Sequence, residues 1–214
     1  MQQFFAEPSW IREGRIFLEG SDVNHIKNVL RMRPGEDVRI SDGSGRVFLC
    51  CISAYEEKTA VLDILKELDA DTELPSKITL FQGLPKGDKM DWIVQKAVEL
   101  GAYSVVPFAA GRSIVKLDEK KAKKRQERWQ LIAKGAAEQS GRGLIPEVQQ
   151  VKTFPEALKM ASGLDVVLIP YELAEGMDKT ARIIEEIRPG QSVGVFIGPE
   201  GGFEEEEIRR ARES

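Results

Sequence analysis

The chain has 214 residues, of which 42% are hydrophobic and 31% charged, proportions that are ordinary for a folded globular protein and exclude a disordered one. The formal net charge of −4 argues against indiscriminate binding to nucleic acid. The longest apolar runs, such as residues 165–170, have the length of a strand, and residues 1–8 do not resemble a signal peptide. The sequence therefore predicts a cytoplasmic protein without a membrane partner.

Cysteine and histidine are scarce. Cys50 and Cys51 are neighbours in a strand-like run, where successive side chains point to opposite faces, so we interpret both as reduced hydrophobic residues. His25 is the only histidine, and no Asp-x-Asp loop is present. The sequence therefore predicts a reaction that does not depend on a metal ion.

The first seventy or so residues have the pattern of a small β domain. A helix begins at Ser21, a good N-cap, and ends before Pro34, with its apolar residues spaced along one face. The β-rich runs are residues 15–18, 37–40, 47–52 and 59–65, with a DGSG turn at residues 42–45. An all-β barrel or sandwich with one helix is expected.

From about Pro75, strands alternate with helices, which predicts a parallel sheet covered by helices. The predicted strands are residues 77–81, 103–108, 165–169 and 192–197, and the predicted helices are residues 91–100, 118–139, 178–187 and 203–214. The polar stretch at residues 69–75 ends in proline and marks the boundary, so the predicted domains are residues 1–72 and 73–214.

Basic residues are concentrated in two places. Between Arg112 and Arg128 they outnumber acidic residues, and a second set lies in the β domain. The first set fits either a solvated helix face or an RNA-binding surface; the two sets together fit proteins that bind folded RNA. Residues 138–143 (EQSGRG) have two interpretations as well, a simple helix C-cap or a flexible segment through which Gln139 and Arg142 reach a substrate.

The loop at residues 198–203 (GPEGGF) follows a predicted strand and precedes a helix, the usual setting of a phosphate-binding loop. A Walker loop has Lys and Ser or Thr after its last glycine, where this chain has Phe203 and Glu204. The glutamates at positions 204–207 repel a polyphosphate and are placed to cap the helix themselves. A ligand without phosphate, such as S-adenosylmethionine, fits the loop better, although a nucleotide-dependent enzyme and an RNA-binding factor without catalysis remain alternatives.

Six motifs in a fixed order resemble the RsmE family, SPOUT-class enzymes that methylate N3 of a uridine in 16S ribosomal RNA. They are residues 25–35 (HIKNVLRMRPG), 42–45 (DGSG), 83–91 (GLPKGDKMD), 95–101 (QKAVELG), 136–142 (AAEQSGR) and 198–203 (GPEGGF). The resemblance covers nearly the whole chain.

This resemblance implies a two-domain α+β fold: a PUA-like RNA-binding β-barrel at residues 1–72 and a SPOUT α/β domain at residues 73–214 that is tied in a trefoil knot. It also implies a homodimer, S-adenosyl-L-methionine as cofactor and the 16S rRNA of the small ribosomal subunit as partner. Family members continue with a further segment that closes the knot, and the sequence ends at Ser214. The closing segment is therefore expected to be absent from this chain.

Carried over by position, the resemblance implies three sets of site residues. The cofactor-binding set is Pro170, Tyr171, Glu172, Ile197, Gly198, Pro199, Glu200, Gly201 and Gly202. The RNA-binding set is His25, Lys27, Arg31, Arg33, Lys86 and Gln139, and the catalytic set is Arg112, Glu138 and Arg142. An arginine of this last set would stabilise uracil O2 or O4, and Glu138 would orient an arginine or accept a proton, unless it only makes a helix-terminal hydrogen bond.

Overall fold

The structure is a computed structural model that describes residues 1–69, 72–111, 119–172 and 177–213. The chain divides into two compact units. The N-terminal unit comprises Met1–Glu73 with Ala137–Ile145, and the C-terminal unit comprises Leu74–Ala136 with Pro146–Ser214. Residues 137–145 thus belong by their contacts to the N-terminal unit.

The N-terminal unit is a curled six-stranded sheet with one short helix. Its elements are β1 Gln3–Phe5, β2 Ile11–Arg12, β3 Arg15–Leu18, α1 Ser21–Asn24, β4 Asp37–Ser41, β5 Val47–Tyr55 and β6 Ala60–Leu68. The strand order is β1-β4-β5-β6-β3-β2, and every pair is antiparallel except β1 with β4. Two register shifts between β5 and β6 bend the sheet around a core that includes Ile16, Ile40 and Leu62.

The C-terminal unit is a parallel α/β sheet, as predicted. Its elements are β7 Lys77–Gly83, α2 Lys89–Glu99, β8 Ser104–Ala109, α3 Glu119–Ser140, β9 Glu147–Val148, β10 Lys152–Thr153, α4 Phe154–Ala161, β11 Val166–Leu168, α5 Met177–Glu185, β12 Ser192–Ile197 and α6 Glu205–Glu213. The strand order is β10-β8-β7-β12-β11, with β9 also paired to β8, and every pair is parallel. β12, the last strand in the sequence, therefore lies between β11 and β7, the first strand of this unit.

Phenylalanine rings fill the core of the C-terminal unit. Phe81 on β7 and Phe196 on β12 stack with ring centroids 4.3 Å apart, and both are at most 1% exposed. Phe108, Phe154 and Phe203 pack around them. Phe203, the residue that follows the glycine-rich loop, is therefore a core residue and anchors that loop to the sheet.

The structure differs from the sequence prediction in six elements. The predicted helix from Ser21 is α-helical only to Asn24 and continues as a π-helical turn, His25–Val29. The sequence did not predict β1, the short strands β2, β9 and β10, or α4. α4 has a capping box between Thr153 and Glu156 with Pro155 in its first turn, a signal that was present in the sequence.

The cysteine interpretation is confirmed, since Cys50 and Cys51 are both free. Burial raises the pKa of the Cys50 thiol to about 12, which keeps it protonated. Among the described residues, no helix combines the length and apolarity needed to cross a bilayer.

Candidate functional site

Loops that carry the predicted cofactor-binding residues leave one edge of the C-terminal sheet. Parallel strands end at the same edge, and β12 lies between β7 and β11. The loops after these three strands therefore begin side by side. Ligands of open parallel sheets bind at this carboxyl edge, where neighbouring connections diverge.

The loop after β12 is a tight turn that packs against the end of β7. The Gly202 N–H donates to the Pro199 carbonyl at 2.8 Å, and Gly202 has a φ of +68°, a left-handed conformation that favours glycine. A Cβ on Gly83 would lie 2.7 Å from Pro199 Cδ and 2.7 Å from its backbone N. Glycine at position 83 therefore allows the two loops to approach closely.

Glu200, in the middle of this loop, forms hydrogen bonds with residues that follow β7. Its carboxylate accepts from Lys89 Nζ at 2.6 Å and from the Lys86 backbone N–H at 3.2 and 3.3 Å. The Lys89 ammonium, through this hydrogen bond, lowers the pKa of the Glu200 carboxyl to about 2. The Lys86 side chain is exposed and is not engaged by this contact.

The glutamates after the loop make hydrogen bonds and ion pairs at the N-terminus of α6. Glu207 is buried, and its carboxylate accepts from the Glu204 N–H at 2.8 Å and from the Gly111 N–H at 2.9 Å. Glu206 pairs with Arg209 and Arg210. For Glu207 the predicted self-capping is confirmed, and a carboxylate of the chain itself occupies the position where a helix N-terminus otherwise attracts a phosphate.

The second predicted cofactor loop follows β11. Pro170 and Glu172 are exposed, and Tyr171 is half-buried. Tyr171 lines an open depression of about 380 Å³ together with Ile208, Arg209 and Arg212 of α6. The aromatic ring of Tyr171 and the aliphatic side chain of Ile208 thus share this depression with charged residues of α6.

The predicted catalytic residues have different surroundings. Arg112 lies outside the described residues. Glu138 is half-buried in the last turn of α3. Arg142 is 2% exposed, and its guanidinium pairs with the Glu73 carboxylate, which also accepts from the Gly143 N–H at 3.0 Å. Sequence reasoning did not single out Glu73, which lies in the polar boundary stretch without a recognisable motif.

Further hydrogen bonds hold the segment around Arg142 within the N-terminal unit. Gln3 Nε2 donates to the Arg142 carbonyl at 2.6 Å, and Ser41 Oγ donates to the Gly143 carbonyl at 2.6 Å. Both side chains are buried. The residues 138–143 are thus a defined structure, and Gln139 within them is exposed.

Four predicted RNA-binding residues lie on one segment of the N-terminal unit, from the π-helical turn to its exit. His25, Lys27, Arg31 and Arg33 are all exposed. The His25 ring meets Phe4 edge-on at 5.7 Å, and the Lys27 ammonium lies 5.5 Å from the Tyr55 ring centroid. Arg31 has a φ of +55° and ends the helical segment, where the Met32 N–H donates to the Ile26 carbonyl at 3.0 Å.

The fold and this loop arrangement define a two-domain α+β protein, with a curled N-terminal sheet and a parallel α/β domain that has a glycine-rich loop at its carboxyl edge. Residues 72–214 match the family described as RNA methyltransferase domain, and residues 18–65 match the RNA methyltransferase PUA domain. The chain belongs to the RsmE family of RNA methyltransferases.

The relatives agree with this assignment. The chain is 38% identical to ribosomal RNA small subunit methyltransferase E of Bacillus subtilis over 100% of its own length and 86% of the relative's. It is similar to the crystal structure of a ribosomal RNA small subunit methyltransferase E from Neisseria gonorrhoeae bound to S-adenosyl methionine, with 35% identity and a TM-score of 0.82 over 100% of this chain and 86% of that one. A putative methyltransferase from Legionella pneumophila in complex with the same cofactor has 30% identity and a TM-score of 0.83, with 99% and 85% covered.

Proposed function

We propose that this chain transfers a methyl group from S-adenosyl-L-methionine to N3 of a uridine in the 16S RNA of the small ribosomal subunit. One observation carries the proposal: the loop at residues 198–202 stands at the carboxyl edge of a sheet whose fold matches, at 35% identity, a relative bound to that cofactor. The N-terminal match to an RNA methyltransferase PUA domain supports an RNA substrate.

The described residues fit the cofactor. The close approach of Gly83 to Pro199 and the left-handed Gly202 shape a tight loop in which Gly201 is exposed. Residues 197–202 and 170–172 would hold the cofactor, the first set mainly through backbone groups. When bound, this cofactor would supply a methyl group on a sulfonium cation, and the Glu200 carboxylate offsets the positive charge of Lys89 beside the loop.

The residues of the chain act by positioning and electrostatics. The uridine N3 proton has to leave, so a group that stabilises negative charge on uracil O2 or O4 favours transfer. Arg112 and Glu138 are the proposed participants, the first as that stabilising cation and the second as the residue that orients it or accepts the proton. Arg142 is a third proposed participant, although its pair with Glu73 first has to open.

RNA binding is proposed for His25, Lys27, Arg31 and Arg33 in the N-terminal unit, and for Lys86 and Gln139. All six are exposed, so their side chains are available to phosphates and bases. The target nucleotide has to be unstacked before its N3 can be reached, as for other enzymes that act on a base within folded nucleic acid.

We extend the proposal to a cytoplasmic homodimer with a trefoil knot. The position of β12 between β7 and β11 supports the knot, since a strand inserted late beside the first strand is compatible with a threaded path. Sedimentation of the full-length protein tests the dimer.

The function is tested by incubating the full-length protein with 30S subunits and cofactor carrying a labelled methyl group. We expect label at N3 of one uridine, identified by nuclease digestion and mass spectrometry. Gly198→Val should abolish the transfer, because a Cβ at this position already comes within 3.2 Å of Gly202. Binding of 30S subunits without any transfer would instead support a non-catalytic RNA-binding or assembly factor.

A further inference from the structure

The N-terminal unit has a shallow polar depression of about 340 Å³ beside the π-helical turn. Its lining includes Val23, Asn24, Lys27, Asn28, Glu57 and Lys58. We propose that this depression binds one unpaired nucleotide of the RNA substrate, with the two asparagine amides on the base edge and Lys58 on the phosphate. The inference rests on the proposed function and adds a subsite to it.

The asparagine pair has the chemistry to read a base. Asn28 Nδ2 donates to Asn24 Oδ1 at 2.6 Å, which leaves the Asn24 amide nitrogen as a donor and the Asn28 oxygen as an acceptor. Within the part of the chain that the structure describes, these two side chains make no other hydrogen bond. Exchanging O and N in both amides still leaves one donor and one acceptor. A donor beside an acceptor matches the edge that an unpaired base presents.

The charges suit a single phosphate. Lys27 lies over the Tyr55 ring, and Lys58 is in the β5–β6 turn, which the Glu56 N–H closes by donating to the Thr59 carbonyl at 2.9 Å. Glu57 offsets one of the two positive charges. The remaining charge attracts one nucleotide, whereas a long tract of backbone phosphates would need a larger basic surface.

The π-helical turn brings the polar side chains together. The Leu30 N–H donates to the His25 carbonyl at 2.9 Å, five residues earlier, and widens the turn. Asn24, Lys27 and Asn28 are three and four residues apart and so share one face. Turns of this kind are infrequent and often mark functional sites.

The test measures binding of the full-length protein to a short single-stranded RNA and to its duplex, and methyl transfer to 30S subunits. Losing one hydrogen bond weakens binding about fivefold, so Asn24→Ala with Asn28→Ala should weaken single-strand binding about tenfold or more. Cofactor affinity and kcat should stay unchanged while the KM for 30S subunits rises. Lys58→Gln should lower the slope of log affinity against log salt concentration by about one.

Two matched variants in the same unit serve as controls. Ser53→Ala removes an exposed polar group from β5, and Lys66→Gln removes an exposed charge from β6; neither should change RNA binding. Wild-type binding by both the asparagine double variant and Lys58→Gln would overturn the proposal, as would equal loss of single-strand and duplex binding. If the asparagine double variant unfolds, Lys58→Gln still tests the proposal, because Lys58 lies on a separate turn; an unchanged salt dependence of RNA binding in Lys58→Gln would then overturn it. Absence of methyl transfer by the wild-type protein would instead contradict the proposed function.

Discussion

Gly83 allows the loop at residues 198–202 to pack closely because glycine has no Cβ atom. A methyl group at this position would lie 2.7 Å from both Cδ and N of Pro199 and would push the loop at residues 198–202 away. We expect Gly83→Ala to weaken cofactor binding at least about tenfold and to destabilise the fold by about 1–3 kcal/mol. Calorimetric titration with S-adenosylmethionine measures the first effect.

Gly135 offers a matched control for Gly83→Ala. It lies in α3, where an added Cβ meets no atom within 4 Å. Gly135→Ala should therefore preserve cofactor binding and raise helix stability by up to about 1 kcal/mol. Equal cofactor affinity in both alanine variants would show that the contact at Gly83 does not shape the loop.

Glu200 gives the loop a predictable response to acid. Its folded-state pKa of about 2 lies below the ordinary value of 4.5, so its contribution to stability is present above about pH 4.5 and is lost as the pH falls toward 2. Wild-type protein and Glu200→Gln should thus differ by a constant amount in unfolding free energy from pH 8 to 5, and the difference should shrink below that range. Urea denaturation along a pH series measures it, and a difference that changes between pH 6 and 8 would mean that another group controls the loop.

At the level of elements, the end of the π-helical turn depends on a strained residue. Arg31 has a φ of +55°, which glycine adopts easily and β-branched residues do not. Arg31→Gly should keep the unfolding free energy within about 1 kcal/mol of the wild type, while Arg31→Val should cost about 1–2 kcal/mol more. Both variants remove the guanidinium, so both should weaken RNA binding to a similar extent.

Thermal denaturation and RNA titration of the two Arg31 variants separate these effects. If Arg31→Gly bound RNA as well as the wild type, the Arg31 guanidinium would have no part in RNA binding. Equal stability of the glycine and valine variants would show that the positive φ is not maintained in solution.

Elements with a strong local signal could be predicted, and those fixed by distant partners could not. β12 and α6 follow from an apolar run, a glycine-rich loop and a charged amphipathic helix. β1 is three residues long and is a strand because Phe4 pairs with Ile40, far along the chain. The 198–202 loop was recognisable, but its fastening by Lys86 and Lys89 joins residues more than a hundred positions from Glu200, a relation that no motif encodes.

For the whole molecule, the position of residues 137–145 is the least predictable feature. The sequence suggested one boundary between two domains, whereas the chain returns to the N-terminal unit after α3 has begun in the C-terminal one. Glu73, Gln3 and Ser41 hold the returning segment. A substitution at any of these three residues is therefore expected to disturb the segment 138–142, which carries predicted catalytic and RNA-binding residues, by removing a hydrogen bond that holds it.

The ion pair between Arg142 and Glu73 allows a structural role to be separated from a catalytic one. The Arg142 side chain is 3% exposed, so Glu73→Ala leaves a nearly buried guanidinium without this carboxylate and should lower the unfolding free energy by about 3 kcal/mol. Adding Arg142→Met to Glu73→Ala should recover part of that loss, because the double variant no longer buries a guanidinium that has lost the Glu73 carboxylate. If Arg142 also acts on uracil, kcat for methyl transfer should be far lower in the double variant than in Glu73→Ala, although the double variant is the more stable protein. Similar kcat values in these two variants would assign Arg142 to holding the returning segment.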